Sequence, residues 1–269
     1  MKERLQIGFF GGFRLSCNDK AVSLAHIPRL QQLLAYLILH RTTQLSRRTP
    51  AFLFWSQSSE KQAYTNLRNL LHQMRQIMPQ VESHIHITYK TIQWNSTSSC
   101  DVDVIMFEEL TAKYERGKTS QSTDQKEALL TQAIHLYKGV LLPDCYDEWM
   151  DVHRERLNWK YQSALHELVL LLESKGDYFN AIHYSHLWIQ SEPYKEVAWC
   201  KLLQLHAKNK DILGVMQAYH RYSESLLAEL NLKPSAQFRK LYDQIIENTR
   251  IEADKHPVTP GLLSGDYQW

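Results

Sequence analysis

Apolar residues recur at every third or fourth position through residues 60–78, EKQAYTNLRNLLHQMRQIM, where Ala63, Leu67, Leu70, Leu71, Met74 and Ile77 form one stripe. That period predicts a helix with one dry side, while Tyr64, Asn66, Arg68, His72, Gln73 and Arg75 occupy the other. The pattern upstream is different. LQIGFF, FRLSC and AVSL, separated by the turn residues Gly11-Gly12 and Asn18-Asp19-Lys20, predict a meander of three short strands within residues 5–24. Pro28 then opens RLQQLLAYLILH, a first helix with Leu30, Leu33, Leu34, Leu37 and Ile38 on one face and an end near His40. Ser46 is the expected N-cap of a second helix running through Phe52, Leu53 and Trp55, and Ser58 or Ser59 caps the third. After Pro79, HIHITY and TIQWN alternate around Lys90 and predict a β-hairpin.

Strands, three helices and a hairpin are the order of a winged helix-turn-helix, in which the third helix enters the major groove and the hairpin touches the backbone. From Asp101 onward the strand signals cease, and helical segments are expected at 103–116, 124–138, 146–174, 178–191, 195–208, 212–230 and 235–249. KGDYFNAIHYS at 175–185 superposes on NKDILGVMQAY at 209–219 with an offset of 34, which sets Asp177 on Asp211 and Ala181 on Val215. A helix pair recurring with that period is the mark of a tetratricopeptide-like solenoid. The expected fold is therefore mainly α: a winged helix-turn-helix DNA-binding domain (α+β) over 1–98, an all-α tetratricopeptide-like domain over 99–250, and a tail over 251–269.

Charge divides along the same line. Residues 1–100 hold 12 Lys and Arg against four acids, Glu3, Asp19, Glu60 and Glu82, and the remainder holds 19 against 25, so a +8 part precedes a −6 part in a chain of net +2. A basic first domain suits a polyanion and an acidic second one suits proteins. Cys17, Cys100, Cys145 and Cys200 form no C-x-x-C pair and read as reduced thiols. MKERLQIGFFGGF has too short an apolar run for a signal peptide, and no window is apolar enough to span a bilayer, so a soluble, cytoplasmic protein is expected.

The chemistry the residues favour is recognition. Asn66, Arg68, Asn69, His72, Gln73 and Arg75, with Tyr64, are suited to base edges or phosphates, and Arg68 and Arg75 stand two turns apart on one side. Arg47, Arg48 and Lys61 lie near helix N-termini, where backbone N–H groups also attract phosphate, and Lys90 falls at the wing tip. Each of these residues also has a plain reading as a solvated surface group. The pairs His84/His86, alternating on a strand, and His183/His186, one helical turn apart, lack a third ligand, so no metal is expected. Gly117 to Thr123, GKTSQST, lacks the glycine spacing of a phosphate loop, and His166-Glu167 lacks the second His of a zinc protease. No catalytic constellation or cofactor motif emerges. Trp149, Trp159, Trp188 and Trp199 are expected to pack between repeats.

In their order these segments resemble the SARP-type bacterial transcriptional activators, an OmpR-like winged helix followed by a bacterial transcriptional activator domain. The matching stretches, over about 5–250, are LQIGFFGGFRL, Val22-x-Leu24 with Arg29, RLQQLLAYLILH, LFW, A-x-x-NLR-x-LL-x-x-MR, DVDVIMFEEL, LYKGVLLPDCYDEW, RERL and AYHRYSESLLAELNLKPSAQFRKLYDQI. The resemblance implies an activator that binds promoter direct repeats on double-stranded DNA, as a homodimer on DNA, and contacts RNA polymerase. Gln31, Gln32, Asn69 and Gln73 stand where the family more often has Arg, so base preference does not carry over. The competing expectation is a tetratricopeptide adaptor that grips a protein without specific DNA binding. Some relatives continue into an ATPase module, and on sequence alone the chain is either complete or the N-terminal part of a longer regulator.

Overall fold

The computed structural model describes residues 5–24, 26–78, 81–95 and 100–255. The chain opens with β1 (Leu5–Gly8), β2 (Arg14–Cys17) and β3 (Lys20–Ala21), followed by α1 (Pro28–Leu39), β4 (Leu45–Ser46), α2 (Arg48–Phe54) and α3 (Glu60–Ile77). A short α4 (Val81–His84), the hairpin β5 (Ile85–Ile87) and β6 (Thr91–Trp94), and β7 (Cys100–Val102) come next. Helices α5 (Asp103–Arg116), α6 (Thr123–Leu136), α7 (Trp149–Ser174), α8 (Tyr178–Ser191), α9 (Glu196–Lys208), α10 (Ile212–Leu230) and α11 (Ala236–Lys255) complete it. The fold is mainly α, with a strand-containing winged helix first and an all-α region after it, as the hydrophobic pattern predicts.

Two compact units divide at 164/165, comprising Met1–Ala164 and Leu165–Trp269. The expected division at 98/99 lies outside the described residues, as does most of the expected tail, although α11 continues to Lys255. The reason the first unit extends past the hairpin is β7. It pairs in parallel with β1, with Leu5 against Cys100 and Ile7 against Val102, and extends the meander to the order β3-β2-β1-β7. Three residues are too short a run for an alternation signal to register, which is why the sequence pattern does not reveal it.

Asp103, directly after β7, fastens this junction. Its Oδ2 accepts from the backbone N–H groups of Phe9 (2.8 Å) and Phe10 (3.0 Å), and Arg14 stands at 3.5 Å. Burial pushes the Asp103 carboxyl up, while those N–H donors and Arg14 oppose the shift. Gly11 donates to Val140 O at 3.0 Å, with φ at +70°, and a Cβ there would stand 2.7 Å from Lys138 O. Only glycine allows so close a backbone approach in that conformation.

Helix α1 is apolar on almost every side, and Leu30, Leu33, Leu34, Leu37 and Ile38 are fully buried. Pro28 occupies its first turn, where a missing N–H is harmless. In α2 the N-cap is Arg47 and not Ser46, which lies in β4, although Ser46 Oγ still accepts from Arg48 N at 3.3 Å. Ser59 caps α3 by accepting from Gln62 N, as expected. Ala63, Leu67 and Met74 of α3 are fully buried, and truncating Leu67 to Ala would cost about 2–5 kcal/mol. Strand β4 adds to the hairpin in the order β4-β6-β5, pairing Leu45 with Ile92 and giving the wing a third strand that its two residues do not announce.

Both ends of α1 carry polar networks that reach later segments of the same unit. At its start Arg29 pairs with Asp147 (3.0 Å), and the buried Gln32 donates to Asp147 Oδ2 (2.7 Å) and Cys145 Sγ (3.3 Å). Just past its end, Arg41 pairs with Glu108 of α5 at 2.9 Å, and Arg156 and Lys160 of α7 close on the same carboxylate. Burial works to raise the pKa of Glu108, but the hydrogen bond and charge of Arg156 and the charge of Arg41 outweigh it and hold the group below the usual carboxylate value.

In the second unit the 34-residue repeat is visible as geometry. Asp177 and Asp211 are equivalent N-caps, accepting from Asn180 N and Gly214 N, and α9 packs against both α8 and α10. Trp188 and Trp199 are buried as expected, and Trp149 packs edge-on to Tyr36 in the first unit. Trp159 departs from the expectation, being 68% exposed, because it falls on the solvent side of α7. The four cysteines are free thiols.

Candidate nucleic-acid interface

Ser59 sets where α3 begins, and the buried stripe sets its rotation, leaving the polar residues outward. At about 100° per residue, Lys61, Tyr64, Arg68, His72 and Arg75 share one flank of this helix, and Asn66, Asn69 and Gln73 share another. In the sequence these residues fall on one polar face, whereas the fold gives the two flanks different neighbours.

The first flank faces the wing. Arg47, at the start of α2, donates its backbone N–H to Lys90 O at 2.9 Å, which ties it to the hairpin. Its guanidinium lies within the fields of Arg68 and Arg75. Burial first, and then those two cations, lower its pKa, while Tyr64 and Tyr89 act in the opposite sense. Its Nε is buried without a hydrogen-bond partner among the described residues. Arg48 lies over the Phe52 ring at 5.1 Å, and Phe52 in turn meets Tyr64 edge-on, so an aromatic bridge joins α2 to α3. Lys61, Arg68, His72, Arg75 and Lys90 are all exposed.

The wing tip is a stiff turn. Thr88 Oγ1 accepts from Lys90 N (3.3 Å) and Thr91 N (2.9 Å), and Thr88 N donates to Thr91 O (2.9 Å). Lys90 sits at this tip as expected, and beside it Tyr89 is 91% exposed, a residue the sequence reading passed over. The Thr-x-x-Thr spacing around it was the available signal for an ordered turn.

The second flank lines an open cleft of ≈ 380 Å³ in which Asn66, Asn69 and Gln73 meet Trp55 and the approach to α1 at His26 and Arg29. Asn66 also accepts from Gln62 Nε2 at 2.8 Å, which engages its side chain within the helix. The eleven expected contact residues therefore separate into a cationic surface made by α2, α3 and the wing, and an amide-lined cleft on the far side of α3.

The His84/His86 pair does not converge. His84 ends α4, buried and stacked on Trp94, whereas His86 is exposed, so the two do not share a face. Among the described residues no group of three His, Cys, Asp or Glu is placed to hold a metal. No helix is long and apolar enough to cross a membrane.

Comparison with known proteins agrees with this architecture. The family model of the bacterial transcriptional activator domain matches residues 102–246. Among solved structures, Mycobacterium tuberculosis EmbR, in complex with a low-affinity phosphopeptide, superposes with a TM-score of 0.71 over 92% of this chain at 17% identity. The chain spans 66% of that EmbR chain, and the likeness establishes the fold. The search of curated proteins found no match. With the matched segment covering more than half of its length, the chain belongs to the bacterial transcriptional activator domain family, in keeping with its resemblance to the SARP-type activators.

Proposed function

We propose that the chain is a sequence-specific, DNA-binding transcriptional activator whose α3 enters the major groove while the β5–β6 wing follows the backbone. The observation that carries this reading is the convergence of Arg47, Arg68 and Arg75, from two elements, into one crowded cationic field beside the exposed wing tip. A guanidinium such as that of Arg47, partly desolvated and set beside two further cations, gains most from a polyanion, whose phosphates relieve that repulsion. Arg68 and Arg75 take base edges or phosphates, with His72 and Tyr64 beside them. Arg47, Arg48, Lys61 and Lys90 hold phosphate. Asn66, Asn69 and Gln73 contribute at most along the edge of the groove, since they line the separate cleft.

The resemblance to SARP-type activators supports the remaining parts of the proposal: direct repeats as the promoter target, a pair of protomers on them, and RNA polymerase as the protein partner, all within the cytoplasm. Selecting bound duplexes from random DNA with the full chain tests the core of it. Enrichment of one motif in two spaced copies, bound with a steep salt dependence, is the expected result. Binding that is insensitive to salt, or no enrichment at all, overturns the reading. The full chain is the right reagent because β1 needs β7 and Asp103, which lie beyond residue 99.

A further inference from the structure

A cavity of ≈ 550 Å³ opens in the first unit between β2, the segment 21–24, the start of α1 and the loop 142–145. None of the residues assigned to DNA lines it, and its size is that of small-molecule sites, about 300–1,000 Å³. Leu15, Val22, Leu24 and Leu142 make its walls apolar. Leu142 is held there with φ at +42°, a left-handed conformation that is costly for a leucine. Its N–H donates to Phe9 O at 3.0 Å and its carbonyl accepts from Arg154, so the surrounding chain enforces the conformation. Enforced strain of this kind collects at ligand clamps.

The polar groups of the lining differ in what they have left to offer. Gln32 donates to Asp147 and Cys145, and the Cys145 thiol donates to Asp147, so these donors are spent. The Arg14 guanidinium is folded over Gly8, donating to Phe10 O at 2.9 Å and pairing with Asp103. Gln31 is different. Its Nε2 donates to Leu24 O at 2.9 Å, and since only the nitrogen can donate to a carbonyl, the group left over is the acceptor Oε1. Asp144, also of the lining, is exposed and pairs with no cation among the described residues. An apolar chamber with one neutral acceptor and one carboxylate to spare suits a donor that carries positive charge. We propose that this cavity binds a small lipophilic amine, its apolar body against Leu15, Val22, Leu24 and Leu142 and its ammonium group donating to Gln31 Oε1 and the Asp144 carboxylate. An anionic ligand would meet Asp144 and find the Arg14 guanidinium already paired.

The site lies apart from the residues assigned to DNA, so it stands or falls separately from the proposed function. Ligand-observed NMR of the full chain tests it, with matched amines, alcohols and carboxylic acids on cyclohexylethyl, phenylethyl and adamantyl bodies. The amines should bind saturably, and the other two head groups more weakly. Asp144→Lys should weaken the amines about tenfold or more and turn the preference toward the carboxylic acids. Val22→Trp, which fills the chamber, should abolish binding. Unchanged urea unfolding and duplex binding show that a variant is intact, and should Val22→Trp fail to fold, the exposed Asp144→Lys decides the matter alone. Equal binding of the three head groups, a preference of the wild-type protein for the acids, no saturable binding, or amine binding that Asp144→Lys leaves unchanged would each overturn the proposal.

Discussion

Replacing Glu108 by Gln should destabilise the first unit out of proportion to the small change in shape. The carboxylate is 10% exposed and faces Arg41, Arg156 and Lys160, whose side chains are 19%, 39% and 30% exposed. Breaking a buried pair by removing one partner costs about 3–5 kcal/mol, because the remaining charge is stranded in a poor solvent. Here the two α7 cations are open enough to turn toward water, so their share must be discounted for screening. Arg41 is the trapped one, and an expected loss of about 2–3 kcal/mol reflects mainly its stranding. Urea unfolding of the full chain, followed through Trp149 and Trp55, would report it as a lower midpoint. The double variant Glu108→Gln/Arg41→Met completes the cycle: with both charges gone, part of the loss should be recovered. A loss under about 0.5 kcal/mol for Glu108→Gln, or strict additivity in the double variant, would refute the claim that Arg41 depends on this carboxylate.

Acid should act on the same region in two steps. Burial, then His40 and Arg156, lower the His153 pKa from 6.5 to about 4, so its neutral form contributes stability that is complete above pH 6.5 and is lost as the pH falls toward 4. His153→Phe should flatten that part of a stability-against-pH curve, whereas the Glu108 contribution, from a depressed carboxylate, disappears only below its unfolded value of 4.5. Arg154→Lys should cost about 2–3 kcal/mol in urea unfolding, because Arg154 bridges the carbonyls of Leu141, Leu142 and Cys145 at once and an ammonium cannot reproduce the fork. In gel-shift titrations Arg68→Ala and Arg75→Ala should each weaken the selected duplex by about 1–3 kcal/mol, while Gln73→Ala changes affinity little; equal losses would rule out the division of α3 into two flanks. Lys90→Ala should weaken all duplexes alike and reduce the salt slope by about one, and a loss confined to a single base pair would contradict a phosphate contact.

Much of this was readable from the sequence where the signal was local and repeated. The stripe of α3, the Ser59 cap, Pro28 at the head of α1 and the alternation of the hairpin are short-range patterns, and each element formed where expected. The paired caps Asp177 and Asp211 were visible as a 34-residue offset because a repeat states the same local rule twice. Pairing over long separations was not readable. Strands β4 and β7, of two and three residues, exist because a partner strand holds them, and nothing within so few residues encodes that partner. The division of the α3 surface was hidden for a similar reason, since a helical wheel gives the angle of Gln73 but not the presence of Trp55 opposite it.

The consequence for function concerns α1. This helix packs beside α2 and α3, yet its ends are held by groups from beyond residue 100, Asp147 at Arg29 and Gln32, and Glu108 at Arg41. The structure supplies a use for the amide of Gln32: a neutral donor that bonds Asp147 beside Arg29 without adding a second cation. An arginine there would crowd Arg29 and compete for the same carboxylate, whereas the amide lets one acid satisfy both residues. Gln32 is therefore engaged in the joint between α1 and the segment that leads into α7.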